Sequence, residues 1–179
     1  KVTYAADIAL AGQILRTSKQ MEYRTGFGYD IHQTSQARDC HLGGIHFTES
    51  HVGLIGHSDA DVLLHAICDA LLGAVALGDI GVHFPPSDDR HKGRGSSEFL
   101  TEVHQLLKAH GWSVGNVDAT VIAEAPKLMP RAVEMRSHIS QVLGVSVDRV
   151  SIKATTNEGL GAIGKGDGIA AHAVAMVYR

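Results

Sequence analysis

Asp30 and His32 stand two positions apart in the stretch GFGYDIHQ, residues 26–33. Alternate side chains of a β-strand share a face, so one carboxylate and one imidazole would point the same way. Such a pair can hold a metal ion. It can equally be the polar side of a half-buried edge strand. His65 offers a third candidate ligand, in the stretch IGHSDADVLLHAICDALLGAVALGD. That stretch is apolar almost all round, the pattern of a buried helix. A histidine there is either a satisfied core residue or a ligand. Asp61, His65 and Asp69 are spaced i, i+4, i+8 and form one polar stripe. Asp69 is placed to hold the second ring nitrogen of His65, as carboxylates do for metal-bound histidines. Two histidines, one carboxylate and an open fourth position make a catalytic zinc donor set rather than a closed structural one. The reading requires residues 30–32 and 65 to meet in space, which spacing does not dictate.

Two further stretches suit phosphate. KATTNEG, residues 153–159, gathers Lys153, Thr155, Thr156 and Glu158 at a strand end. Hydroxyls and a lysine fit phosphate oxygens, and a carboxylate fits Mg²⁺. An ordinary polar turn has the same composition. GLGAIGKG, residues 159–166, almost spells a P-loop, but Gly166 stands where a Ser or Thr must hold Mg²⁺, and a strand pattern follows instead of a helix. The NTPase reading fails on both counts. A glycine-rich loop beside Lys165 can still offer backbone N–H groups to a phosphate.

The elements that must position these residues follow from periodicity. A strand is expected over 24–32 and another over 40–47. Ser58-x-x-Asp61 reads as a capping box opening the buried helix, which runs to about Leu77. GDIGVHFPPSDDRHKGRGSS is a loop of about 20 residues, and loops that long in a compact domain are usually functional or mobile. Helices are expected over 96–110 and 130–143, ended by Gly111 and Gly144. Strands are expected over 114–124, through RVSIKATT, and through GIAAHAVAMVYR. The mixture predicts an α+β domain, its mixed sheet covered by helices on one side. At the amino end, apolar spacing at Ile8, Leu10, Ile14 and Leu15 predicts a short helix in a separate appendage, residues 1–23. Lys1 is not a natural start, so a fragment or a processed product is expected; the stretch lacks the apolar core of a secretory signal.

The chain has 179 residues, enough for one domain that needs no disulfides. Cys40 and Cys68 lack metal-type spacing, which favours a reducing compartment. A net charge of −3 argues against nucleic acid as a partner, and no apolar run reaches the length of a membrane span. Of twelve histidines, His91, His104, His110 and His138 sit among polar neighbours and are expected to face water.

Taken in order, GYDIH, GHSDADVLLHAICDALLGAVALGDIG, FP, GNVDATVIAEAPKLMP, IKATTNEGLG and GDGIAAHAV resemble the 2-C-methyl-D-erythritol 2,4-cyclodiphosphate synthase family over residues 24–179. The resemblance implies an α+β homotrimer with active sites between subunits. It implies cyclisation of 4-diphosphocytidyl-2-C-methyl-D-erythritol 2-phosphate with release of CMP, in the non-mevalonate isoprenoid pathway. That is intramolecular phosphoryl transfer, catalysed mainly by positioning and charge neutralisation.

By the same resemblance, Asp30, His32 and His65 hold Zn²⁺, and Glu158 holds Mg²⁺ or Mn²⁺ with the diphosphate. His57 and Thr156 match transition-state stabilisers, and Ser58 a phosphate contact. Asp79, Ile80 and Gly81 match the grip on the methylerythritol hydroxyls. Phe84, Pro85, Pro86, Ser87 and Asp88 match a substrate loop. Ala123, Pro126, Lys127, Leu128 and Met129 match the cytidine pocket, and Thr155, Asn157, Ala162 and Lys165 complete the substrate-binding set. This chain departs from the family at four places. Phe27 replaces His, Pro86 replaces the Asp of FPD, and Ala162 and Lys165 replace Phe and Arg at the central cavity of the trimer. Pro86 puts the loop's part in substrate grip in question. The first 20 residues weakly resemble the closing helix of the cytidylyltransferase that is fused to this enzyme in some bacteria; a transit-peptide remnant is an alternative. A bacterial cytoplasm is expected, or a plastid for a eukaryotic source. A zinc phosphohydrolase and a non-catalytic nucleotide-binding trimer are the competing readings.

Overall fold

The structure, a computed structural model, describes residues 21–179 together with residues 4, 5, 7–9 and 12. Leu10, Ile14 and Leu15 of the expected amino-terminal helix lie outside the described residues.

A long strand, β1 (Tyr23–Ser35), opens the domain. The two-residue strands β2 (His41–Leu42), β3 (Ile45–His46) and β4 (Gly53–Leu54) follow. Helix α1 (Val62–Ala74) leads to one-turn α2 (Ile80–His83) and then α3 (Ser96–Ala109). The second half runs β5 (Ser113–Ile122), α4 (Ala132–Leu143), β6 (Val150–Thr155), one-turn α5 (Gly161–Gly164) and β7 (Gly168–Tyr178). The main sheet has the order β4-β1-β7-β5-β6. Only β5 and β6, joined through α4, run parallel. The domain is therefore α+β with a mixed sheet, as the pattern predicts.

The core lies between one face of this sheet and the helices. Along β1 the even-numbered residues turn toward α1, whereas Phe27, Tyr29 and Ile31 stay exposed on the other face. α1 buries Leu63, Leu64, Ile67, Leu71 and Leu72 completely. Each such side chain contributes roughly 1.5–3 kcal/mol relative to exposure.

Several elements differ from expectation for local reasons. The strand expected over 40–47 is the tight β2–β3 hairpin, because Gly43 and Gly44 take φ of +61° and +77° and turn the chain back. Asp61, not Ser58, caps α1: its carboxylate accepts from the Leu64 N–H at 3.1 Å. Asp61 also accepts from Gly43 and Gly44 N–H at 2.9 and 2.7 Å, tying the hairpin to the helix start. The Ser58 hydroxyl accepts from Ala60 N–H at 3.1 Å instead. α1 stops at Ala74, where Ala76 and Gly78 enter the left-handed region with φ of +58° and +83°. Much of the expected long loop is ordered into α2 and the turn Asp89–His91. His110 is exposed as expected, while His91 and His138 are half-buried. His104 is buried, donating from Nδ1 to the Val142 carbonyl at 3.0 Å, because α3 packs that face against α4.

Candidate active site

The strand and the helix do meet. Asp30 and His32 project from the α1-facing side of β1, and His65 projects from the first turn of α1 toward them. Asp30 Oδ2 lies 3.0 Å from His65 Nδ1 and 3.0 Å from His32 Nε2. The two imidazole nitrogens are 3.2 Å apart. Among the described residues, these three alone form a cluster able to hold a metal ion. A carboxylate and two imidazoles converging from a half-buried position are a donor set that fits zinc with a coordination position left for substrate.

Charge at the triad is organised by the same contacts. Burial pushes the Asp30 carboxyl up, but the His32 and His65 rings beside it outweigh burial and hold it well below the usual carboxylate range. Burial pushes His32 down, yet Asp30 and the Ile55 carbonyl, 2.9 Å from Nδ1, leave it raised.

Asp69 does not hold the second nitrogen of His65. Its carboxylate accepts from the Ile80 N–H at 2.7 Å, fixing the start of α2. Burial raises its pKa. The Nε2 of His65 faces the Ser96 hydroxyl at 2.9 Å, with the Ser58 hydroxyl at 3.4 Å. Ser96 is fully buried at the first position of α3. Nothing in its local sequence marks it; its nearness to His65 arises from the docking of α3 on α1.

The other expected residues divide between two cavities. One, of roughly 220 Å³, lies at the triad and is also lined by His57, Ser58, Ile80, Gly81, Phe84 and Pro86. Asp69, His91 and Phe99 complete its wall, and of these His91 and Phe99 were not expected there. Phe84 stacks on Phe99 with ring centroids 4.7 Å apart, and the His91 ring meets both edge-on. A second cavity, of roughly 320 Å³, is lined by Ala123, Pro126, Lys127, Leu128, Met129, Thr155 and Thr156. The two share no lining residue. His57 and Thr156, expected to act together, therefore line different cavities of one chain.

The remaining residues border neither. Asp79 caps α2, its carboxylate accepting from Val82 N–H at 3.0 Å. Pro85 and Asp88 line a further groove with Arg90, Arg94 and Glu102, and Ser87 lies between them in sequence. Asn157 donates its backbone N–H to Glu124 at 2.9 Å, and exposed Glu158 has φ of +51°. Ala162 and Lys165 belong to α5 and its end.

An α+β domain that presents a metal-type donor triad at the mouth of a cavity defines the general class. The YgbB family pattern matches residues 23–178, and the chain belongs to that family. The 2-C-methyl-D-erythritol 2,4-cyclodiphosphate synthase of Thiobacillus denitrificans is 55% identical over 158 residues, covering 88% of this chain and 98% of its own. The synthase of the same name from Alkaliphilus oremlandii is 51% identical over 156 residues, covering 87% and 99%. A structure of the bifunctional IspDF from Campylobacter jejuni superposes with a TM-score of 0.85 at 36% identity, over 89% of this chain and 43% of that one. A structure of 2C-methyl-D-erythritol-2,4-cyclodiphosphate synthase in a CDP-bound form gives 0.79 at 35% identity, over 86% and 99%. No helix among the described residues is long and apolar enough to cross a membrane.

Proposed function

We propose that this chain converts 4-diphosphocytidyl-2-C-methyl-D-erythritol 2-phosphate to the 2,4-cyclodiphosphate with release of CMP, as a metal-dependent cyclising lyase of isoprenoid synthesis. The observation that carries the reading is the Asp30–His32–His65 triad opening on a cavity, in a chain 55% identical to a synthase of that name. An oxygen of the 2-phosphate attacks the β-phosphorus, and the bond from that phosphorus to CMP breaks, CMP leaving with the electron pair.

Asp30, His32 and His65 would hold Zn²⁺, which supplies a Lewis acid for the substrate's phosphate oxygens. Glu158 would hold Mg²⁺ or Mn²⁺ with the diphosphate, a hard cation suited to a carboxylate and phosphates. Asp79, Ile80 and Gly81 would grip the methylerythritol hydroxyls, and Asp69 fixes that segment by accepting from Ile80. Ala123, Pro126, Leu128 and Met129 would enclose the cytidine, with Lys127 on its phosphates. His57 and Thr156 would steady the charge that develops at the reacting phosphorus.

The chain would act as a homotrimer, each site pairing the triad of one subunit with the nucleotide cavity of the next. Two features support this. The halves needed for one substrate lie in cavities that share no residue. The outer face of β1 and β7 leaves Phe27, Tyr29, Ile31 and Val174 exposed, an apolar surface suited to a subunit contact. Residues 1–23 would be an appendage to the domain over 24–179.

Incubation with the diphosphocytidyl substrate, followed by mass analysis, tests the reading. A cyclic diphosphate plus CMP is expected. A linear phosphate would instead favour a zinc phosphohydrolase.

A further inference from the structure

The triad histidines each have one nitrogen facing Asp30 and one held from behind, by different devices. His32 Nδ1 meets the Ile55 carbonyl at 2.9 Å. A carbonyl can only accept, so Nδ1 carries the proton and Nε2 is left with its lone pair toward the triad. His65 Nε2 meets Ser96 Oγ at 2.9 Å. A hydroxyl can donate or accept, so this contact alone does not choose the tautomer of His65.

Asp59 makes the choice. Its Oδ1 accepts from the Ser96 hydroxyl, and its Oδ2 accepts from the Ser96 backbone N–H at 2.9 Å. A carboxylate only accepts, so the hydroxyl proton of Ser96 is committed to Asp59. Only lone pairs of Ser96 Oγ then face His65 at 2.9 Å, nearer than the Ser58 hydroxyl at 3.4 Å, and Nε2 supplies the proton to the closer contact. Nδ1, 3.0 Å from Asp30 Oδ2 and 3.2 Å from His32 Nε2, then needs no proton of its own once a cation stands between it and that carboxylate. Three lone-pair atoms converge, an arrangement that a cation reconciles.

We propose that Asp59, acting through Ser96, is the positioning device that locks His65 in its metal-binding tautomer. The inference rests on the metal-site reading above and deepens it. It makes the 94–96 segment part of the metal site although none of its side chains belongs to the donor triad. The Asp59 backbone N–H also donates to the Arg94 carbonyl at 3.2 Å, which pins the same segment.

The test uses the full chain and zinc alone, with affinity read by competition against a chromophoric chelator and geometry read from the absorption of the Co²⁺-loaded protein. Loss of the partner behind a metal-bound histidine typically weakens the metal by about 10–100-fold. Ser96→Ala is expected to fall in that range. Asp59→Asn is expected to fall there too with Ser96 intact, because the amide can donate to Ser96 Oγ and release its hydroxyl proton toward His65. Ser96→Thr, which keeps the hydroxyl, is expected to restore affinity and the Co²⁺ spectrum. In the unsubstituted zinc-loaded protein, ¹⁵N–¹H spectra of the His65 ring should report an Nε2 proton protected from solvent exchange by Ser96, a readout that needs no variant.

Zinc affinity in Ser96→Ala within roughly threefold of the parent, against the 10–100-fold expected, would overturn the proposal. So would a His65 Nε2 proton that exchanges freely with solvent in the zinc-loaded parent. Asp30→Ala separates the two levels. If zinc binding does not depend on Asp30, the metal site itself is wrong. If it depends on Asp30 but not on Ser96 or Asp59, only the relay is wrong.

Discussion

A Cβ on Gly28 would lie 2.0 Å from the carbonyl oxygen of Ala66. The backbone of β1 and the backbone of α1 are thus in direct contact, with no side chain between them at that point. Gly26 stands in the same relation to Ala70, also at 2.0 Å. This contact lets His65, the residue before Ala66, reach Asp30, two residues beyond Gly28. Gly28→Ala must push the helix off the strand, because backbone cannot move aside as a flexible side chain does. Overpacking of this kind costs about 1–3 kcal/mol, and a backbone clash belongs at the upper end. Denaturant melts should show that loss, and zinc titration should show weaker binding. A variant as stable as the parent with unchanged zinc affinity would disprove the link.

His65→Ala should lose bound zinc and most activity while the domain stays folded. α1 keeps its fully buried apolar side chains without this residue. Metal analysis finding a full complement of zinc in the variant would remove His65 from the ligand set.

Glu158→Gln should raise the Mg²⁺ concentration needed for turnover and leave zinc content unchanged, since a neutral amide binds a hard cation poorly. Mg²⁺ titrations at fixed substrate give the readout, and an unaltered dependence would take Glu158 out of the site.

Stability should carry a signature of His104. Burial lowers its folded-state pKa below the ordinary 6.5, despite the Val142 carbonyl. Below about pH 6.5 the unfolded chain therefore binds more protons at this residue than the folded one, and stability falls as pH drops through that window. Above it the residue is neutral in both states and contributes no slope. Replacing His104 with Gln should flatten the acid side of the profile relative to the parent. Chemical denaturation between pH 5 and 8 checks this, and parallel profiles would contradict it.

Subunit mixing tests where the site lies. Asp30→Ala spoils the triad half and Lys127→Ala the nucleotide half, so each homo-oligomer should be inactive. Random assembly of equal amounts into closed rings should rebuild about a quarter of the sites from one intact half of each kind. If each site lay within one chain, mixing would restore nothing. Activity near zero after verified subunit exchange would rule out the shared site.

Much of the site was legible in the amino-acid order because it depends on short periods. A spacing of two puts Asp30 and His32 on one face of any strand, and the α1-facing side of β1 carries them both. Unbroken apolar character predicts that α1 is buried, which makes His65 conspicuous within it. The left-handed Gly144, with φ of +61°, ends α4 where a glycine C-cap is expected. Motifs in order were enough to identify the family, and its pattern does match residues 23–178.

What required the tertiary structure is everything set by packing between distant segments. Asp69 lies one turn from His65 and looks like its natural partner, yet the Ile80 N–H claims it. Ser96 takes that place from 31 residues away, because α3 docks its first turn against α1. His104 reads as a water-facing residue among polar neighbours but is buried against the Val142 carbonyl. The division of the expected substrate contacts between two cavities also has no trace in local sequence. Local periods determine which face a side chain occupies. Which group waits opposite that face is decided only when helices settle onto the sheet and buried donors must find acceptors.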